Sequence, residues 1–138
     1  MRLLDTNTLS HLYAGHPKVV KRFNEMPRDE MVGTTIVTKI EMLRGRFDYA
    51  IKAATAEELL KAYELLADSE ARLEELYIAP FDQVAADNFR RLHKGHRRIG
   101  RADLLIACIC LAQGAIVVTR NIKDFRVIPH LRIENWLD

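Results

Sequence analysis

Three acidic residues that lie far apart in the sequence each stand beside an apolar segment. Asp5 follows the apolar start of the chain, Glu41 lies within IVTKIEMLRG, and Asp103 opens the apolar run of GRADLLIACICLA. Carboxylates that meet in one crevice repel each other unless a cation lies among them. Oxygen ligands of this kind select Mg²⁺ or Mn²⁺ rather than zinc, and the five histidines show no HExxH spacing. If the fold brings the three acids together, we expect a divalent-metal site.

Each of these acids also has an ordinary structural explanation, and the sequence alone leaves both readings open. Asp5 precedes a predicted helix and can cap its N-terminus. Thr38 and Glu41 have the spacing of a capping box, which would start that helix at Thr38 and leave two apolar residues outside it. Asp103 belongs to the first turn of a predicted helix, where an acid complements the helix dipole.

A fourth polar position follows the apolar run near the C-terminus, in VVTRNIKDF. The predicted strand ends at Thr119, and Asn121 and Asp124 follow in the loop. An ordinary turn stabilised by Asx side chains would use the same residue types. The sequence therefore adds two candidate site residues without choosing between them.

The densest basic stretch, HKGHRRIGR at residues 93–101, runs directly into Asp103. Arg97, Arg98 and Arg101 are therefore candidates for holding phosphate groups next to the acids. Such contacts supply position and salt-dependent affinity, not sequence choice. A solvated surface loop would have the same composition. Aromatic residues make up only 7% of the chain, which argues against an aromatic-rich surface for stacking bases.

Short apolar segments alternate with helical ones along the chain, which predicts the α/β class with a parallel sheet covered on both faces. Ligands of such folds bind just beyond the carboxyl ends of strands, where Asp5 and Thr119 fall. The predicted strands are 2–5, 31–35, 77–80, 115–119 and a final short one at 131–133. The predicted helices are 6–14, 17–24, 36–47, 82–93, 103–113 and one or two within 53–76.

Composition limits the remaining possibilities. A chain of 138 residues with 49% hydrophobic and 29% charged residues predicts one globular domain spanning 1–138. Its longest apolar run, 104–112, is too short to span a membrane, and Asp5 interrupts the start too early for a signal peptide. Cys108 and Cys110 fit small core residues of a reducing compartment, hence a cytoplasmic protein. The net charge of +2 is too mild to identify a nucleic-acid partner.

Taken together, these segments resemble the PIN-domain ribonucleases, in particular the VapC toxins of prokaryotic toxin–antitoxin pairs. The resemblance is carried by LLDTNTLS, VTKIEMLRG, ADLLIACICLAQG and VVTRNIKDF, and it covers essentially all 138 residues. It implies a PIN-like three-layer α/β/α sandwich with a short central parallel sheet of four to five strands. It also implies that Asp5, Glu41 and Asp103 are the metal-binding acids.

The resemblance implies further roles around these acids. Thr6 and Asn7 match positions that steady the first acid, and Thr119 matches one that contacts the site. The fourth family position is often acidic, whereas this chain has Asn121 there and Asp124 three residues later. Which of the two serves the site, and whether one or two metals bind, is left open.

The function implied by the resemblance is Mg²⁺- or Mn²⁺-dependent endoribonuclease activity, with a carboxylate-held metal activating water. The implied partners are an RNA substrate such as tRNA, a VapB-like antitoxin and a second copy of the chain, with no membrane association. A catalytically silent PIN-like RNA-binding module is the alternative. A dehalogenase-like phosphatase would need a D-x-D pair where this chain has Asp5-Thr6-Asn7, and a dinucleotide enzyme would need a GxGxxG loop that is missing.

Overall fold

The computed structural model describes all 138 residues, which form five strands and seven helices. The strands are short and each is followed by at least one helix, except the last. In chain order the elements are β1 (Arg2–Leu4), α1 (Thr6–Tyr13), α2 (Pro17–Glu25), β2 (Val32–Thr35), α3 (Ile36–Lys52), α4 (Ala56–Glu74), β3 (Tyr77–Ala79), α5 (Gln83–Leu92), α6 (Arg101–Gln113), β4 (Ile116–Val118), α7 (Ile122–Phe125) and β5 (Ile133–Glu134).

The strands form one parallel sheet in the order β3-β2-β1-β4-β5. The chain builds outward from β1 through β2 to β3, then returns to the other side of β1 with β4. The strand order therefore reverses between β1 and β4, and the crevice beyond their carboxyl ends is where open α/β sheets bind ligands. β2 and β3 approach so closely that a Cβ on Gly33 would lie 2.3 Å from the Tyr77 carbonyl oxygen, which explains the glycine there.

Consecutive residues of the central strands point to opposite faces of the sheet and enter two separate cores. Leu3 and Val117 belong to a cluster of 15 buried residues, which includes the buried residues of α5 and α6. Leu4 and Val118 belong to a cluster of seven, which includes residues of α1, α2 and α4. Two helical layers therefore enclose the sheet, which confirms the predicted three-layer α/β/α sandwich with a five-strand parallel sheet.

Helix α6 lies at the centre of the larger core. Six of its residues are buried, and it ends at Gly114 in the left-handed conformation with φ 63°, which an L-residue with a side chain adopts only at a cost. Its two cysteines are free and buried, and burial raises the pKa of Cys108 to about 11 and that of Cys110 to about 12. Both thiols therefore stay protonated and unreactive at neutral pH.

The observed elements differ from the predicted ones mainly at their ends. Helix α3 continues to Lys52 instead of ending near residue 47, and α4 is one helix. Helix α6 begins at Arg101, two residues earlier than predicted, because Gly100 lies in extended conformation directly before it. The single turn α7 was not predicted, since four residues are too few to show helical periodicity. No helix combines the length and apolarity that crossing a bilayer requires.

Candidate active site

Asp5 lies directly after β1 at the point where the strand order reverses. Its backbone N–H donates to the Val118 carbonyl at 3.0 Å, and its Oδ1 accepts from the Thr8 N–H at 2.9 Å as the N-cap of α1. The capping interpretation of Asp5 is thus confirmed for one carboxylate oxygen. The cap leaves Oδ2 without a hydrogen bond from the chain, so one interaction fixes the side chain while the second oxygen stays available.

Glu41 is not part of a capping box, so that interpretation is wrong. Helix α3 begins at Ile36 with Thr35 as its cap, and Thr35 Oγ1 accepts from the Thr38 N–H at 3.3 Å. The carboxylate Oε1 of Glu41 instead accepts from the Thr6 hydroxyl at 2.6 Å. Thr6 has one hydroxyl proton, so its 3.1 Å contact with Thr38 Oγ1 has Thr38 as the donor. Thr6 therefore ties Glu41 to the end of β1.

Asp103 and Asp124 share one amide group between them. Asn121 Nδ2 lies 3.1 Å from Asp103 Oδ2 and 2.8 Å from Asp124 Oδ2. Ionised carboxylates only accept hydrogen bonds, so the NH₂ side of the amide must face them. The Asn121 N–H donates at 2.9 Å to the hydroxyl of Thr119, which is fully buried. Thr119 therefore positions the loop that carries Asn121. Asp103 lies in the first turn of α6, where its charge complements the helix dipole, and it also accepts the hydrogen bond from this loop.

The charges of these acids act on one another across the crevice. The pKa of Asp103 is raised above its usual value, first by burial and then by the negative charges of Asp5, Asp124 and Glu41, against the lowering effect of its hydrogen bond from Asn121. No basic side chain contributes to this balance. The acids predicted from the sequence are therefore close enough for their charges to interact, and negative charge predominates around Asp103.

The donor chemistry fits a hard divalent cation. Asp5, Asn7, Arg120 and Asn121 line a cavity of about 350 Å³ that offers carboxylate and amide oxygens. No group of three or more His, Cys, Asp or Glu side chains is arranged to hold one ion together. Mg²⁺ usually binds through one or two carboxylates and keeps several waters, so such a cage is not required. Direct ligation by all three predicted acids stays a prediction.

Arg120 is a residue that sequence reasoning missed. It is the one basic side chain lining the cavity with Asp5 and Asn121, and its guanidinium pairs with Asp138, with Nη2 3.1 Å from Oδ1. Its place between Thr119 and Asn121 in the sequence was the available signal, because that stretch was already assigned to the site.

The basic segment lies apart from this cavity. Arg97 and Arg98 line a separate cavity of about 360 Å³ with Val127, and no acid of the site lines it. Arg101 is exposed at the start of α6, two residues before Asp103. The substrate-positioning role of these three arginines, like the steadying role of Asn7, stays a prediction.

Comparison with known proteins agrees with this geometry. A profile of the PIN domain family matches residues 2–131. Ribonuclease VapC1 of Haemophilus influenzae strain R2866 is 32% identical over 97% of this chain and 96% of its own length. The tRNA(fMet)-specific endonuclease VapC of Salmonella typhimurium is 28% identical over 97% and 96%.

Solved structures share the fold over almost the whole chain. VapBC-1 from nontypeable Haemophilus influenzae superposes with a TM-score of 0.82 at 20% identity, covering 99% of this chain and 98% of the other. DNA-bound VapBC from Salmonella typhimurium gives 0.77 at 25% identity, covering 98% and 97%. From the matched domain and the full-length relatives, the chain belongs to the PIN domain family and, within it, to the VapC ribonucleases.

Proposed function

We propose that this chain is a divalent-metal-dependent endoribonuclease and the toxin of a toxin–antitoxin pair. The observation that carries the proposal is geometric: Asp5 lies where the strand order reverses, the adjacent Thr6 holds Glu41, and Asn121, which lines a cavity with Asp5, bridges Asp103 and Asp124. Burial, together with the charges of the other three acids, raises the pKa of Asp103. Four neighbouring acids favour a bound cation over a structural role, because the one basic side chain beside them, Arg120, is paired with Asp138. Membership of the VapC ribonucleases supports RNA as the substrate.

Asp5 and Asp103 are the residues we assign to holding Mg²⁺ or Mn²⁺. Asp5 presents its free oxygen from a fixed cap, and Asp103 is steadied by Asn121. The ion supplies positive charge that polarises the scissile phosphate and makes water a better nucleophile. Asn121 and Asp124 serve together as the fourth position, because the amide holds both neighbouring carboxylates.

Glu41 has a different role in this proposal. Its carboxylate is fixed by the Thr6 hydroxyl at 2.6 Å, so its other oxygen can accept a proton from the attacking water and orient that water toward phosphorus. The bond between phosphorus and the O3′ of the preceding nucleotide then breaks; O3′ leaves and takes up a proton to become a 3′-hydroxyl, and the following nucleotide keeps a 5′-phosphate. No histidine or serine nucleophile is needed.

The partners follow from the relatives. One relative is named a tRNA(fMet)-specific endonuclease, so we propose tRNA as the first substrate to test. Several similar structures are toxin–antitoxin complexes, which supports a VapB-like antitoxin as a partner; the homodimer stays a prediction. The cytoplasmic placement inferred from the two cysteines stays a prediction.

The test compares Asp5→Asn with Asp82→Asn on total tRNA, with Mg²⁺, with Mn²⁺ and with EDTA. Asn caps helices about as well as Asp, so Asp5→Asn keeps α1 and removes the charge. Asp82 caps α5 in the same way, its Oδ1 accepting from the Ala85 N–H at 2.9 Å, but it lies outside the acid group. We expect Asp5→Asn to abolish cleavage and Asp82→Asn to cleave like the parent chain.

Sequencing of the new RNA 5′ ends checks that they carry phosphate. Cleavage that survives Asp5→Asn or EDTA would refute the proposed function. RNA binding without cleavage by the parent chain would support the silent RNA-binding module instead.

A further inference from the structure

A groove runs from Glu41 along α3. Its near part is a cavity of about 280 Å³ with Thr6 and Glu41 at one end and Arg46 and Tyr49 at the other. A second cavity of about 270 Å³ shares Ser10 and Arg46 with it and continues toward α4. We call the near part the α3 groove; it connects directly with the residues assigned to the reaction.

One face of α3 forms the floor of the α3 groove. Glu41, Gly45 and Tyr49 follow at intervals of four residues and so lie on one face of α3. A Cβ placed on Gly45 would meet nothing within 4 Å. From Glu41 to Tyr49 the helix rises about 12 Å, which exceeds three times the rise of about 3.4 Å per nucleotide in a stacked strand; an extended single strand covers more length per nucleotide, so fewer nucleotides fit. The groove is therefore long enough for a short stretch of single-stranded RNA.

Arg46 lies in the groove with most of its donors unused. Its Nε donates to the Ser69 hydroxyl at 2.9 Å, and Ser69 is 3% exposed. None of the eight ion pairs in the chain involves Arg46. The guanidinium is thus held from one side with its remaining N–H groups free, and this planar fork matches the geometry of a phosphate.

We propose that Arg46 is a substrate-positioning residue that binds a backbone phosphate of RNA in the α3 groove, within about two nucleotides of the scissile bond. The helical rise of about 7.5 Å between Glu41 and Arg46 sets this limit, since it equals about two stacked nucleotides and fewer extended ones. Tyr49, which is 41% exposed in the same cavity, stacks on a base of that stretch. The proposal rests on the proposed function, and it favours RNA over an acidic protein segment because the groove opens onto the acids assigned to phosphate chemistry.

The test measures binding, so that its outcome is separate from cleavage. A fluorescent ten-nucleotide oligouridylate is titrated with the Asp5→Asn chain over a range of NaCl concentrations. Loss of one phosphate contact lowers the slope of log K against log salt by about 0.7, or about fourfold in affinity at 0.15 M salt. We expect this change for Arg46→Gln. Arg44→Gln is the matched control, since Arg44 is exposed on the same helix and lines neither cavity.

Further variants separate phosphate binding from the structural bond to Ser69. Arg46→Lys keeps the charge and should keep the slope, and Ser69→Ala removes only the buried partner and should also keep it. Gly45→Leu fills the groove without straining α3 and should weaken binding while the circular dichroism spectrum is unchanged. Weaker binding by Arg46→Gln with restoration by Arg46→Lys supports the proposal.

Two outcomes overturn it. Equal effects of Arg46→Gln and Arg44→Gln would mean that only the overall charge matters. Unchanged RNA binding by Arg46→Gln, combined with weaker co-purification of a co-expressed antitoxin, would assign the groove to a protein partner. In either case the comparison of Asp5→Asn with Asp82→Asn still decides the proposed function, because it is scored on cleavage.

Discussion

Replacing Asn121 with aspartate converts a bridge between two acids into a third acid. The Asn121 amide nitrogen lies 3.1 Å from the Asp103 carboxylate and 2.8 Å from that of Asp124. In Asn121→Asp an oxygen with partial negative charge takes the place of that donor. Since the resemblance to the PIN-domain ribonucleases implies that this position is often acidic, the substitution also tests what the amide does in this chain.

The distances give the magnitude. Asn121 is exposed, so the dielectric constant of water applies, and two unit charges about 3 Å apart then repel by about 1.4 kcal/mol per pair. The two pairs add about 3 kcal/mol of repulsion in the metal-free protein. Asn121→Ala removes the same two hydrogen bonds without adding charge, at a cost of about 1 kcal/mol. The difference between the variants therefore isolates the repulsion.

The assay is thermal unfolding with EDTA and with increasing Mg²⁺. Without metal, we expect Asn121→Asp to unfold about 10 °C below Asn121→Ala, since roughly 3 kcal/mol corresponds to a shift of that size in a domain of this length. A cation bound among the acids cancels the repulsion, so Mg²⁺ should raise the melting temperature of Asn121→Asp more than that of Asn121→Ala. The excess should also shrink in high salt.

The matched control is Asn24→Asp, which adds the same charge at an exposed side chain that makes no hydrogen bond. It should melt like the parent chain under every condition. Equal melting temperatures of Asn121→Asp and Asn121→Ala in EDTA would refute the electrostatic reasoning. No stabilisation of either variant by Mg²⁺ would refute the cation site.

Two other substitutions test the surroundings of the site and the sheet. Thr6→Val removes the hydroxyl that donates to Glu41 at 2.6 Å, and loss of such a supporting bond should slow RNA cleavage by about 10- to 100-fold. The control Thr8→Val removes a buried hydroxyl that has no hydrogen-bond partner, and it should leave the cleavage rate unchanged. Equal cleavage rates of the two variants would contradict the role of Thr6. The hydrogen bond from Arg2 is the main cause that lowers the pKa of Glu134 below its ordinary value of 4.5. The ionised Glu134 therefore stabilises the folded protein at pH values above 4.5, and this stabilisation is lost as the pH falls through the lower pKa of the folded state. Glu134→Gln should therefore cost about 1–2 kcal/mol in urea unfolding at pH 7 and less at pH 3, and a gap independent of pH would count against this linkage.

The sequence predicted most of the fold because apolar runs and their punctuation are local signals. The strands at 2–5, 77–80 and 115–119 were located to within one residue at each end, and a glycine marked the end of α6. The order of the strands is a different kind of information. The strand order depends on which segments pair across the sheet. The residue pattern of β1 gives no information that its neighbours are β2 and β4.

The site was predictable in part for the same reason. Asp5 directly follows the buried strand β1, and Asp103 lies in the first turn of the buried helix α6. Locating these two elements in the sequence therefore also located the two acids. The function of Glu41 was obscured by a capping-box spacing, because Thr35 and Thr38 are equally good caps in sequence and only the helix start distinguishes them. The bridge made by Asn121 could not be predicted, since it depends on the side chains of two residues meeting from a helix and a loop.

The central position of β1 has a consequence during synthesis on the ribosome. β1 pairs with β2 about thirty residues later, but with β4 only after more than a hundred residues have been added. At about 5–20 residues per second this takes several seconds or more, and the half of the crevice formed by β4 and its loop is missing until then. The crevice between β1 and β4, where the proposed site lies, is therefore incomplete until synthesis has passed β4.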